Sequence, residues 1–324
     1  MNIAILGCGT VGSGIYEIIT NSVPSVKVKH ILDVRQIETE GVKQILTNDY
    51  NDILNDSSVS IVAEAMGGVE PAFSYARDAL KVKKSVVTSN KELVAIHGAE
   101  LMKTAKDNGV NFLFEASVGG GIPIIRTMKS SFEYEKVSEI KGVLNGTTNF
   151  ILSQMTDNGL TYDDALNKAR IEGFAESNPE NDVMGYDTAR KLAILISLVT
   201  GKYYDFSKIP TEGITEITLN DIESAKRDNC CIKLVAHAKI LNPETLEISA
   251  SVKPTLIKKT DSLFSVNNEF NAIILNSSYL GEVTFIGKGA GKLPTASAVV
   301  SDMLEIMKND GKDISSYWTN DSLG

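Results

Sequence analysis

MNIAILGCGTVGSG, Met1 to Gly14, opens the chain. The apolar run Asn2 to Leu6 predicts a strand, and Val11 to Ile19 has helical spacing. Between them, Gly7, Gly9 and Gly12 match the G-x-G-x-x-G dinucleotide fingerprint. Such glycines permit a tight turn, close approach of the backbone to a pyrophosphate, and close packing of helix on strand. The helix N-terminus, at Thr10 and Val11 after the glycines, offers free N–H groups and a positive dipole end to phosphate. A glycine turn without a ligand is the plain alternative, and the flanking strand and helix argue against it.

Outward from this stretch the chain alternates. Val26 to Val34, Ser60 to Ala65, Ser85 to Thr88 and Asn111 to Glu115 read as further strands; Pro71 to Leu80 and Glu92 to Lys106 read as helices. Alternating strands and helices predict an α/β fold, a Rossmann-type doubly wound parallel sheet with right-handed crossovers. After Gly119-Gly120-Gly121 the pattern changes. Val137 to Leu144, Leu246 to Val252, Ala272 to Leu275 and Glu282 to Ile286 read as strands. Thr148 to Met155, Thr161 to Ile171 and Val183 to Val199 read as helices. This is an α+β pattern, expected to form a second, substrate-binding domain. The glycine loop from Gly287 and the helix Thr295 to Met307 then return to the first domain. The expected division is residues 1–130 with 287–324 for the dinucleotide, and 131–286 for substrate.

Composition narrows the function. The chain has 324 residues, 43% hydrophobic and 23% charged, with a formal net charge of −9. That balance argues against nucleic acid or an anionic membrane as partner. No apolar run is long enough to span a bilayer, and the N-terminus lacks a basic n-region. The 3 cysteines (Cys8, Cys230, Cys231) form neither a disulfide framework nor a zinc spacing, so a reducing cytoplasm is expected.

Four polar stretches are candidates for chemistry. Asp33 and Arg35 follow the second strand: an acid there suits the ribose of NAD, an arginine the 2′-phosphate of NADP, and the pair leaves both open. Ser89 and Lys91 lie at the end of the fourth strand, where side chains face the ligand crevice, although local sequence alone favours Ser89 or Asn90 as a helix cap. The turn after Glu115 exposes carbonyls suited to a hard cation, or serves as a hinge. GFAESNPENDVMGYDTARK, Gly173 to Lys191, gathers four carboxylates and places Asp187 and Lys191 on one helix face. By spacing alone that pair is a surface ion pair; beside a phosphate loop it becomes a substrate clamp with a proton donor.

The last stretch is similar to the signature of homoserine dehydrogenases, through Gly173, Asn178, Pro179, Asp182, Gly185, Asp187 and Lys191. Three more blocks share the resemblance: GCGTVGSG at 7–14, VLNGTTNFIL at 143–152 and GKGAGKLPTASAVVSD at 287–302. It implies reversible reduction of L-aspartate 4-semialdehyde to L-homoserine with NAD or NADP, on the route to threonine and methionine. It places the catalytic lysine on Lys191, and substrate contacts on Glu176, Asp187, Asp182 and Lys91. Lys91 and Ser89 would contact the cofactor, with Gly173 and Gly289 bordering the nicotinamide. A monovalent cation, sodium, would sit at Glu115, Val118, Gly120 and Ile122. The resemblance further implies a homodimer formed through the middle domain, 131–286, here without the C-terminal regulatory domain and without threonine feedback through it. An aspartate-semialdehyde dehydrogenase would need a cysteine nucleophile, for which Cys8, Cys230 and Cys231 lack the context.

Overall fold

The computed structural model describes residues 1–242, 244–309 and 312–322. The chain forms two compact units. The first comprises Met1–Ile125, Gly201–Tyr203 and Gly291–Ser322; the second comprises Arg126–Thr200 and Tyr204–Ala290.

The first unit begins β1 (Asn2–Leu6), α1 (Thr10–Ser22), β2 (Lys27–Leu32), β3 (Leu46–Thr47), α2 (Tyr50–Leu54) and β4 (Val59–Glu64). It continues α3 (Ala72–Lys81), β5 (Ser85–Thr88), α4 (Lys91–Asn108) and β6 (Phe112–Leu113). The strands pair in parallel in the order β3-β2-β1-β4-β5-β6. The order reverses between β1 and β4, and the crevice outside the strand ends there is where such sheets bind ligands. Its core is aliphatic, built on Ile3, Ile5, Ile31, Ile61 and Val87, all buried. Burial on both faces explains why these strands read as continuous apolar runs.

The second unit follows with α5 (Ile124–Ser131, beginning at the boundary), β7 (Val137–Val143), α6 (Gly146–Asn158), α7 (Tyr162–Ile171), α8 (Glu180–Val183) and α9 (Tyr186–Thr200). After β8 (Lys202–Tyr203) come α10 (Leu219–Arg227), β9 (Cys230–Asn242), β10 (Glu247–Lys258), β11 (Phe270–Ser277) and β12 (Gly281–Lys288). The sheet is antiparallel, ordered β10-β9-β7-β11-β12, and α6, α9 and α10 pack on β9. Lys233 on β9 is buried. Its ammonium donates to Asn149 Oδ1 at 3.0 Å, Val266 O at 2.7 Å and Asn267 Oδ1 at 2.8 Å. Burial pushes its pKa down to about 8.

The chain then adds α11 (Lys292–Lys308) and β13 (Thr319–Ser322) to the first unit, where β13 pairs with β8 and α11 packs on α1. Gly14 permits that packing: a Cβ there would lie 2.8 Å from Lys292 O and 3.0 Å from Ala296 Cβ.

Three expectations change. The strand expected over Asn111 to Glu115 is only two residues long; a 3₁₀ turn, Glu115–Ser117, replaces its end, and the Glu115 N–H bonds Asp302 Oδ2 at 2.8 Å instead of a ladder partner. The single helix expected over Val183 to Val199 is two, α8 and α9, interrupted at Gly185 with φ +83°. The thirteen-residue β9 was not expected. Cys230 to Ala236 is buried throughout, so it shows no alternation from which a strand is read.

Candidate active site

In the first unit the glycines do separate jobs. Gly7 has φ +88°, and a Cβ there would stand 2.9 Å from Ala65 O and 3.0 Å from Met66 Cγ. A Cβ on Gly12 would fall 1.8 Å from Gly7 O. At Gly9 a Cβ would meet nothing within 4 Å. Gly9 is also the cap of α1 and supplies no side-chain acceptor, so the first N–H groups of the helix, from Thr10 and Val11, have no side-chain cap. This is an anion cradle. Beside it lies a cavity of about 500 Å³ lined by Gly7, Gly9, Asp33, Arg35, Asn48 and Met66, among others. The residues present therefore fit a dinucleotide.

Asp33 follows β2 at the edge of this cavity. Its Oδ2 accepts the Cys8 N–H at 2.8 Å, and its two oxygens accept Arg35 Nε at 2.9 Å and Nη2 at 2.7 Å. The Arg35 guanidinium holds the Asp33 carboxyl well below the usual carboxylate range. At the end of β5, Asn90 Oδ1 accepts the Leu93 N–H at 3.1 Å and caps α4, while Ser89 and Lys91 stay half-buried. So the capping role belongs to Asn90, and Ser89 and Lys91 flank it.

Glu115 is 3% exposed, and its Oε1 accepts the Ile125 N–H at 2.8 Å at the start of α5. Val118, Gly120 and Ile122 are buried in the turn that follows, with φ +73° at Gly119 and +56° at Gly120. Among the described residues no group of three or more His, Cys, Asp or Glu could hold a metal. A cation at this turn would rest mainly on backbone carbonyls.

The second unit carries the acid–amine cluster. Lys191 and Asp187, four residues apart on α9, approach to 2.8 Å with side chains 10% and 2% exposed. This is not a surface ion pair. Lys191 Nζ also donates to Leu144 O at 2.7 Å. Asn145 Nδ2 donates to Asp187 Oδ2 at 2.9 Å and to Asp182 Oδ1 at 2.7 Å. Thr147 Oγ1 donates to Phe174 O at 2.6 Å and lies 3.2 Å from Asp182 Oδ2. The structure thus joins Asp182, Asp187 and Lys191, while Glu176 remains exposed near them in sequence. Gly173 has φ +79° with open space at its Cβ position. Gly289 is buried, and a Cβ there would lie 2.0 Å from the Asn271 amide.

Two members of this cluster escaped the sequence reading: Asn145 and Thr147. Asn145 follows β7 by two residues and caps α6, its Oδ1 accepting the Thr148 N–H at 2.9 Å. An Asn before a helix is a cap signal; its second task shows only in three dimensions.

Comparison with known proteins agrees with this geometry. Residues 7–115 match the family model described as homoserine dehydrogenase, NAD binding domain, and residues 123–304 match that of homoserine dehydrogenase. The chain is 40% identical over 322 residues to homoserine dehydrogenase of Bacillus subtilis, covering 95% of this chain and 73% of that protein. It is 42% identical over 319 residues to that of Synechocystis, with 95% and 73% covered. The crystal structure of a homoserine dehydrogenase from Thiobacillus denitrificans superposes with a TM-score of 0.92 at 33% identity, over 98% of this chain and 77% of that one. A hyperthermophilic archaeal homoserine dehydrogenase in complex with NADPH gives 0.80 at 29% identity, over 95% and 97%. Fold, phosphate loop and relatives together define an NAD(P)-dependent oxidoreductase acting on a small molecule. The chain belongs to the homoserine dehydrogenase family. Among the described residues no helix is long and apolar enough to cross a membrane.

Proposed function

We propose that this chain reduces L-aspartate 4-semialdehyde reversibly to L-homoserine with NADP or NAD, and that Lys191 handles the proton. The observation that carries this is the buried Lys191 ammonium, fixed by Asp187 Oδ2 at 2.8 Å and Leu144 O at 2.7 Å. Those contacts engage two of its three N–H groups and leave the third for a substrate oxygen.

The nicotinamide, when bound, supplies the hydride to the aldehyde carbon. Negative charge then grows on the carbonyl oxygen, and a positioned ammonium stabilises it and donates the proton. Asp187, buried beside Lys191, orients its ammonium and faces the same substrate. Glu176 and Asp187 take the substrate's α-ammonium, with Asp182 as a supporting acid. Lys91 takes the substrate carboxylate or the cofactor. Gly173 and Gly289 border the nicotinamide, and Ser89 and Arg35 contact the cofactor elsewhere. Residues 1–130 and 287–324 serve the cofactor; 131–286 serve the substrate and a homodimer contact. Sodium binds at Glu115, Val118, Gly120 and Ile122. Three free cysteines fit a cytoplasmic enzyme.

The test is oxidation of NADPH and of NADH at 340 nm with aspartate semialdehyde, in sodium and in potassium. Cofactor binding without turnover would overturn the proposal. Sedimentation of the wild type tests the dimer separately.

A further inference from the structure

Glu64 ends β4, beside the reversal of strand order, and is wholly buried. The catalytic scheme does not use it. Its Oε1 accepts the Met66 N–H at 2.8 Å and approaches the Gly67 N–H at 3.4 Å. Its Oε2 accepts the Thr88 hydroxyl at 2.5 Å from the end of β5. Thr88 Oγ1 in turn accepts the Asn90 N–H at 2.9 Å. Asn90 Nδ2 donates to Gly68 O at 2.6 Å. These bonds close a ring through Glu64, the 66–68 loop, Asn90 and Thr88.

What the ring holds is specific. Gly67 and Gly68 have φ of +80° and +73°, and Met66 lines the dinucleotide cavity beside Gly7. On the other side it fixes the turn that presents Ser89 and Lys91. A buried carboxyl is a costly way to fill space unless its hydrogen bonds are needed. Burial pushes this one up, against the donors aimed at it from Thr88, Met66, Gly67 and Asn90.

We infer that Glu64 is a positioning residue that locks the loops after β4 and β5 into one piece, and so fixes where Ser89 and Lys91 meet their ligands. This rests on the proposed function. Glu64 touches neither substrate nor cofactor; it acts through Thr88 and Asn90. A glutamine at 64 can accept from Met66 and Gly67 and donate to Thr88, so it can keep the ring closed.

The experiment compares wild type with Glu64→Ala, Glu64→Gln and Thr88→Val. Glu64→Ala should lose about a hundredfold in kcat per folded enzyme, the scale of a 1 Å misplacement, while NADPH binding changes far less. Glu64→Gln should restore kcat to near wild type. Thr88→Val should fall in the same direction as Glu64→Ala. A merely structural role would lower the folded fraction and leave kcat and KM of the folded enzyme alone; that result overturns the inference. So does a Glu64→Gln variant as impaired as Glu64→Ala. Wild-type turnover alone decides the proposed function. Hydrogen exchange decides the positioning role independently: 66–68 and 89–91 should lose protection together in Glu64→Ala, or in Thr88→Val should the alanine variant not fold. Loss in only one loop, or in neither, refutes the ring.

Discussion

Arg35 closes back on Asp33, with Nε 2.9 Å from one carboxylate oxygen and Nη2 2.7 Å from the other. The same carboxylate anchors the Cys8 N–H of the phosphate loop. The acid that suits NAD and the cation that suits NADP therefore form one unit, and Arg35 remains 63% exposed on its side chain. Arg35→Ala should lower kcat/KM for NADPH about tenfold, the scale of a hydrogen bond to a charged group, with NADH little changed. Steady-state rates with both cofactors check this; an equal loss for both would assign Arg35 to the fold.

Lys191→Ala should cost between about 10² and 10⁴ in kcat, the range for removing a general acid. NADPH affinity, read by fluorescence, should survive. Near-normal turnover would remove Lys191 from the mechanism.

Asn145 has two tasks, and Asn145→Ala should show both. Loss of the α6 cap should cost roughly 1 kcal/mol of stability. Loss of the shared donor to Asp182 and Asp187 should lower kcat by more than that stability loss explains. Thermal unfolding beside kinetics separates them.

The fingerprint glycines should fail differently. Gly9→Ala places its methyl in open space, so melting should be unchanged while NADPH binding weakens. Gly12→Ala drives a Cβ to 1.8 Å from Gly7 O, so melting itself should fall. Equal melting for the two would contradict this division.

Lys233 sets a pH dependence. Its folded pKa, about 8, lies below the usual 10.5. Between those values the unfolded chain binds more protons than the folded one, so stability rises with pH there. Below about pH 8 both states carry the proton and the contribution is flat. The difference in unfolding free energy between wild type and Lys233→Met should be level from pH 6 to about 7.5 and grow in favour of wild type toward pH 10. Parallel curves would count against it.

Much of this was legible locally. The glycine spacing between a strand and a helix is set by steric needs within a few residues, so the cofactor unit could be read from Gly7 to Gly14. The i,i+4 pairing of Asp187 and Lys191 is likewise a property of one helix. Their burial was not legible, because it depends on β7, α6 and α9 meeting. Asn145 stayed hidden for the same reason: its partners Asp182 and Asp187 lie 37 and 42 residues away. β9 was lost because burial of both faces erases the alternation that marks a strand.

The break at Gly185 has a geometric consequence for the carboxylates. On an uninterrupted helix, positions 182 and 187 would point about 140° apart. They meet on the single Nδ2 of Asn145 because the chain turns a corner between α8 and α9. The corner is crowded: a methyl at 185 would sit 2.9 Å from Thr211 Cγ2, in a left-handed conformation. One backbone angle thus converts two divergent acids into a convergent pair.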